Sequence, residues 1–200
     1  SGAIHCQPAL APRPMDFQMD ERYTRTALLL HWLVALLLLG QFAFGWYLQQ
    51  IPRNTPARGY FVNLHKSTGL LIGLLILFRL GWRRTHAPPP LPDSVTAWQR
   101  QAASASHKLL YLLMLVIPLS GYVASNFSRF GINFFNAVQL APWGIDSKLI
   151  YAFFNQAHII CSWLLLALIS AHVLAAFKHV LVDHDTVFPR MWPWHFPGRH

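Results

Sequence analysis

The chain has 200 residues, of which 54% are hydrophobic and only 12% are charged, and its formal net charge is +9. Soluble domains usually carry about 25% charged residues, so this composition excludes an ordinary soluble protein. The basic residues form no stripe interleaved with aromatics in a polar domain, which argues against nucleic acid as a partner. We therefore predict an integral membrane protein whose partner is the lipid bilayer, and whose positive charge is mainly a topology signal.

Four apolar segments follow a polar beginning. Residues 1–22 contain Pro8, Pro12 and Pro14 and no apolar core, so we predict a disordered tail there. The predicted spans are 27–48, 61–82, 109–125 and 149–180, each close to or above the length needed to cross about 30 Å of hydrocarbon. Pro118 predicts a kink in the third span. Short connections predict an all-α, antiparallel four-helix transmembrane bundle over 23–191, followed by a C-terminal tail, 192–200.

The distribution of lysine and arginine predicts the orientation of these spans. Ten of these residues fall on the side that holds both termini and five fall on the other side. Because cytoplasmic segments carry the excess of basic residues, we predict that both termini are cytoplasmic. The five on the outer side are Arg53, Arg58, Lys66, Arg129 and Lys148.

Histidines recur inside the spans in a pattern that suggests metal ligation. His158 and His172 are fourteen residues apart on one helix, which places them on one face and about 21 Å apart along the bilayer normal. His31 opens the first span and His65 opens the second. Equal depths pair His31 with His172 (the inner pair, cytoplasmic side) and His65 with His158 (the outer pair, periplasmic side). Two stacked bis-histidine sites fit two b-type haems.

Other interpretations of these histidines are weaker. A single histidine at the start of a span often sits at the membrane interface, and we interpret His107 in this way. A carrier that binds a metal ion through four histidines would normally also use carboxylates or thiolates, and the predicted spans contain no Asp or Glu. The matched depths of four histidines favour haem.

Two further residues are candidates for cofactor or substrate contacts. Arg79 follows His65 by fourteen residues, so it lies on the same face at the depth of the inner pair, where it could bind a haem propionate. Snorkelling to the cytoplasmic surface beside Arg83 and Arg84 is the alternative. His179 lies seven residues beyond His172 and could hydrogen-bond a quinone carbonyl, or it could be an ordinary interfacial histidine.

The chain resembles the bacterial cytochrome b561 family over roughly residues 23–191. The segments that carry the resemblance are RTALLLHWLVALLLL, LHKSTGLLIGLLILFRLGWR, HKLLYLLMLVIPLSGY, QAHIICSWLLLALISAH and KHVLVDHDTVFPRM. The resemblance implies a four-helix di-haem protein of the bacterial inner membrane with ligands at His31, His65, His158 and His172. It also implies a quinone-site histidine at His179 and electron exchange with ubiquinone.

Two functions follow from this resemblance. Some family members oxidise superoxide on the periplasmic side and reduce quinone, so we expect a superoxide:ubiquinone oxidoreductase that takes electrons at the periplasmic haem. The basic residues on the outer side, among them Lys66 beside His65, would steer an anion there. The alternative is a cytochrome b subunit that passes electrons between quinone and a partner dehydrogenase or hydrogenase.

Overall fold

Four long helices make up most of the computed structural model, which describes residues 23–91, 95–184 and 187–192. They are α1 (Arg25–Gln50), α2 (Pro56–Thr85), α3 (Ala97–Asn126) and α4 (Lys148–Leu181). All four are long and apolar enough to cross a membrane. The predicted four-helix transmembrane bundle is therefore confirmed. The predicted tail 1–22, and all of the predicted tail 192–200 except Trp192, lie outside the described residues.

Each helix begins just after a hydroxyl side chain that can satisfy a free N–H group of the first turn. Thr24 Oγ1 accepts from Ala27 N at 3.2 Å, and Thr55 Oγ1 accepts from Arg58 N at 3.3 Å. Thr96 precedes α3 and donates its backbone N–H to Gln99 Oε1 at 2.9 Å. Such caps stop the chain from fraying where it leaves the bundle.

The third helix is longer than its apolar segment. The predicted span 109–125 marks only the hydrophobic part, whereas α3 starts at Ala97 and continues through a polar, alanine-rich stretch. Alanine and glutamine are good helix formers, so the helix extends beyond the region that hydropathy identifies. As a result His107 lies within the helix and not at its mouth.

The core of the bundle is a small apolar layer at mid-depth. Leu165 is buried and lies seven residues from both His158 and His172 on α4. Ile72 and Ile76 of α2 and residues of α1 and α3 pack around it. The outward faces expose large apolar side chains, such as Leu36 at 66% and Leu74 at 63%, as expected where lipid replaces water.

Helix α4 packs closely against α3 but less closely against the other two helices that carry paired histidines. The close backbone contacts join α3 to α4, α1 to α2 and α2 to α3. α4 approaches α1 and α2 less closely, and these are the two helices that carry the partners of its histidines. This arrangement leaves side chains, not backbones, to meet across the bundle.

A two-stranded hairpin, which sequence analysis did not identify, lies in the connection between α3 and α4. Strand β1 (Ile132–Phe134) pairs antiparallel with β2 (Val138–Leu140). The turn residues Phe135 and Asn136 both have positive φ, 49° and 58°. The hairpin packs on α2, where the buried Ser67 Oγ accepts from Phe135 N at 2.8 Å. A short hairpin has too few residues for hydropathy to reveal.

The described C-terminal residues return to the N-terminal part of α1. A short 3-10 helix (Pro189–Met191) follows α4, and Trp32 Nε1 donates to the carbonyl of Met191 at 2.8 Å. Trp192 packs edge-on against Trp32, with ring centroids 5.8 Å apart. Trp32 is therefore both an interfacial aromatic and an anchor for this segment.

Candidate functional site

The structure brings the four span histidines together in the two predicted pairs. The rings of His31 (α1) and His172 (α4) have centroids 6.4 Å apart and planes inclined by 56°. Those of His65 (α2) and His158 (α4) have centroids 6.2 Å apart and planes inclined by 77°. Both pairs bridge α4 to a helix that it does not pack against closely.

These separations are the ones that two imidazoles bonded to a single metal ion would have. An imidazole nitrogen bonds a metal at about 2 Å and lies about 1 Å from its ring centroid, so two rings on opposite sides of one ion have centroids about 6 Å apart. A direct hydrogen bond or ring stack would hold the rings closer. The geometry of each pair therefore fits a metal bound between the rings.

The remaining ligands of such a metal would have to come from a cofactor. Within the ranges that the structure describes, no group of three or more His, Cys, Asp or Glu side chains could hold a metal ion. Two imidazoles do not complete the coordination of a bare ion such as zinc, which takes four ligands. A porphyrin supplies four nitrogens in a plane and needs only axial ligands, so the donor set fits haem.

Helix α3 provides a notch that orients His158. His158 Nδ1 donates to the carbonyl oxygen of Ile117 at 2.8 Å, and a Cβ at Gly121 would lie only 3.0 Å from the same nitrogen. A carbonyl only accepts hydrogen bonds, so Nδ1 carries the proton and the Nε2 lone pair is free to bind a metal. Ile117 directly precedes the helix proline, Pro118.

The side chains around His65 fix the helix but leave the imidazole free. Gln41 Nε2 donates to the His65 carbonyl at 2.7 Å, and Thr68 Oγ1 donates to Gln41 Oε1 at 2.8 Å. This chain of bonds joins α1 to α2 beside the ring. The buried Nδ1 of His65 has no hydrogen-bond partner among the described residues. Such an orphaned buried nitrogen is costly unless a ligand or water satisfies it.

The inner pair lies beside an arginine, as its depth on α2 predicts. One terminal nitrogen of Arg79 lies 3.0 Å from His31 Nδ1, and the other donates to the Tyr111 hydroxyl. Arg79 therefore points into the bundle, and the alternative of snorkelling to the surface is wrong for this side chain.

His107 also belongs to this inner cluster, which the sequence did not predict. Its ring centroid is 5.4 Å from that of His172, in an edge-on arrangement. Since α3 begins twelve residues before the predicted span, His107 lies inside the helix and its ring reaches His172, a contact that its interpretation as an interfacial residue did not include. The i,i+4 spacing of His107 and Tyr111 on one helix face was the signal that could have revealed it.

His179 lies beyond the inner pair, near the end of α4, in an ionic cluster. Its Nδ1 is 3.4 Å from Asp183 Oδ2. Lys178 Nζ is 2.8 Å and 2.5 Å from the two carboxylate oxygens of Asp183. Seven residues of helix separate His179 from His172, which corresponds to about 10 Å.

Two of the five outer basic residues donate hydrogen bonds to backbone carbonyls. Lys66 Nζ donates to the carbonyl of Gly131 at 2.8 Å, which ties the hairpin segment to α2. Arg58 donates to the carbonyls of Leu48 and Ile51, at the end of α1. The side chains of the remaining three are exposed, namely Arg53, Arg129 and Lys148.

Paired imidazoles at two depths of a four-helix membrane bundle define a membrane-bound cytochrome of the b type. The family model described as prokaryotic cytochrome b561 matches residues 22–194, and the chain belongs to this family. Membership establishes haem b as the cofactor class, electron transfer as the activity class and the bacterial inner membrane as the location of this multi-pass protein.

Three curated relatives illustrate the range of similarity. Cytochrome b561 homolog 2 of Escherichia coli (strain K12) is 32% identical over 172 residues, which cover 86% of this chain and 91% of the relative. Cytochrome b561 homolog 1 of the same strain is 26% identical over 181 residues, covering 86% and 97%. A protein of Yersinia pestis named probable superoxide oxidase CybB is 25% identical over 183 residues, covering 88% and 98%.

A larger side chain at position 121 tests whether the notch at Gly121 is needed to orient His158. In Gly121→Val the added side chain would collide with the His158 ring, so we expect haem binding to weaken roughly tenfold or more, as when a ligand loses its supporting contacts. Haem per chain after purification measures this. Gly81→Val is the matched control, because a Cβ at Gly81 meets no atom within 4 Å. Equal haem content in both variants would contradict the role of the notch.

Proposed function

We propose that this chain is a di-haem b electron-transfer protein that oxidises superoxide at the periplasmic side and reduces ubiquinone. The observation that carries the proposal is the presence of two imidazole pairs, each with the ring separation of a bis-histidine metal site. Haem b bound at such a pair supplies one-electron transfer by cycling its iron between two oxidation states.

His31 and His172 hold the inner haem in this proposal, and His65 and His158 hold the outer haem. Neutral imidazoles would hold the iron, and the Ile117 carbonyl already favours the tautomer of His158 that can bind it. The two pairs lie about 21 Å apart along α4, so the sites stand one above the other across the bilayer. The excess of basic residues near the termini supports a position of the outer pair toward the periplasm.

The charge of the outer surface supports a small anion as the electron donor. Arg53, Arg129 and Lys148 are exposed on this side, whereas Lys66, which follows His65 in the chain, is bonded to Gly131. Exposed cations raise the local concentration of an anion and the rate at which it arrives. Similarity along nearly the whole chain to a protein named probable superoxide oxidase points the same way.

The reaction balances with two superoxide ions for each quinone. Each superoxide gives up one electron and becomes dioxygen, and ubiquinone takes up two electrons and two protons to become ubiquinol. In this proposal His179 donates a hydrogen bond to a quinone carbonyl, and Asp183, four residues further along the chain, lies 3.4 Å from His179 Nδ1. Together they would pass protons from the cytoplasm to the reduced quinone.

Removing single histidines tests the haem assignment. We expect His158→Ala to lose the outer haem and His172→Ala to lose the inner one, because each removes one imidazole of one pair. Pyridine haemochrome analysis of the purified variants measures the number of haems per chain. His86→Ala serves as the control, since His86 stacks on Trp82 outside the paired sites. If both span variants kept two haems, the pairing would be wrong.

Salt dependence tests the electron donor. Stopped-flow mixing of the oxidised protein with superoxide should reduce haem at a near-diffusional rate that falls as ionic strength rises. Neutralising the exposed outer cations should lower this rate about tenfold at low salt. The triple variant combines Arg53→Gln, Arg129→Gln and Lys148→Gln. Its charge-matched control on the cytoplasmic side combines Arg25→Gln, Arg84→Gln and Lys108→Gln. A slow rate of haem reduction that does not depend on ionic strength would favour the alternative, a cytochrome subunit that receives electrons from a partner dehydrogenase.

Replacing His179 tests the quinone end. We expect His179→Ala to slow ubiquinone reduction about a hundredfold, the usual scale for a lost proton donor. Haem reduction by superoxide should keep its rate, because the outer pair is untouched. His184→Asn is the control, as His184 is exposed nearby and tolerates asparagine at its positive φ of 49°. Unchanged quinone reduction in His179→Ala would place the quinone elsewhere.

A further inference from the structure

The two imidazole pairs differ in how their ring nitrogens are hydrogen-bonded. His158 Nδ1 faces a carbonyl oxygen, which fixes a proton on that nitrogen. His31 Nδ1 instead faces the guanidinium of Arg79 at 3.0 Å. An arginine side chain only donates hydrogen bonds and stays charged in proteins. His31 Nδ1 must therefore accept, and the proton of the neutral ring must sit on Nε2.

In this arrangement His31 cannot bind iron through either nitrogen. The Nδ1 lone pair is engaged by Arg79, and Nε2 carries the proton in place of a free lone pair. His31 becomes a ligand only if Arg79 leaves it and the proton moves from Nε2 to Nδ1, with the ring neutral throughout. His158 needs no such change.

The described part of the chain offers Arg79 no anion to move to. Its two terminal nitrogens contact His31 and the Tyr111 hydroxyl, and its buried Nε has no hydrogen-bond partner among the described residues. Within those residues Asp183 is bonded to Lys178 and contacts His179, while Asp146 is exposed in the loop before α4. A partly buried guanidinium without a carboxylate favours a carboxylate supplied by a ligand, which can accept two parallel N–H bonds.

We propose that Arg79 is a specificity residue for the cofactor of the inner pair. It holds His31 in the tautomer that cannot bind iron and releases it only to a carboxylate on the incoming porphyrin. The inference rests on the proposed function, since it takes the inner pair to be a haem site. The requirement for a carboxylate applies to the inner pair alone, because no described side chain holds either imidazole of the outer pair in this way.

Porphyrins with and without free carboxylates test this inference. The full chain, produced without haem and kept in detergent, is titrated with iron protoporphyrin IX or with its dimethyl ester. We expect two bound molecules of protoporphyrin IX but only one of the ester. The absorption spectrum of the ester complex should match that of His172→Ala loaded with the ester, because the outer pair alone is filled in both.

Two variants show whether Arg79 causes the discrimination. Arg79→Met leaves His31 without the guanidinium, so it should bind two molecules of the ester. Tyr111→Phe removes the hydroxyl that holds Arg79 in place and should restore part of the second equivalent with a smaller change to the packing. Arg83→Gln is the control, since Arg83 lies over the Tyr111 ring at 6.0 Å, and this variant should still bind one ester.

The possible outcomes distinguish a failure of this inference from a failure of the di-haem assignment on which it rests. Two ester molecules bound to the unmodified chain would overturn the role of Arg79. The role of Arg79 would also be overturned if Arg79→Met and Tyr111→Phe each bound only one ester molecule, because the missing second equivalent would then have another cause. Fewer than two molecules of protoporphyrin IX on the unmodified chain would refute the di-haem assignment itself.

Discussion

The meeting of two imidazoles across an apolar bundle is the interaction on which the structure depends. Inside a bilayer no water is present to satisfy a polar side chain, so an isolated imidazole there is costly. The two rings of each pair instead lie with centroids 6.4 Å and 6.2 Å apart, close to the separation expected for two imidazoles bonded to one metal ion. The protein satisfies these rings unevenly: the buried Nδ1 of His65 has no hydrogen-bond partner among the described residues, whereas His158 Nδ1 donates to the Ile117 carbonyl.

Helix α4 organises both sites because it contributes one imidazole to each. Its backbone packs against α3, which leaves the faces toward α1 and α2 to be bridged by side chains. Between the two levels Leu165, Ile72 and Ile76 form a tightly packed apolar layer. The two histidine pairs are thus held apart by the same core that holds the helices together.

The two sites are nevertheless prepared differently for a ligand. The outer pair has one ring oriented by a backbone carbonyl, in the notch that Gly121 leaves open on α3. The inner pair is surrounded by side chains with charge or titratable protons, namely Arg79, Tyr111 and His107. Backbone orientation depends little on the ligand, whereas a charged neighbour has to be satisfied by it. This difference is the physical basis for distinct ligand requirements at the two levels.

The sequence by itself determined the four spans and the pairing of their histidines. Both follow from local regularities: apolar length fixes a span, and a spacing of fourteen residues fixes the face and depth of His158 and His172. Only the tertiary structure decided which neighbours each ring has. The contacts between Lys66 and Gly131, Arg79 and His31, and His107 and His172 join residues far apart in the chain, and no periodicity records them. Hydropathy also could not reveal the polar first part of α3 or the hairpin, because neither is an apolar segment long enough to cross a membrane.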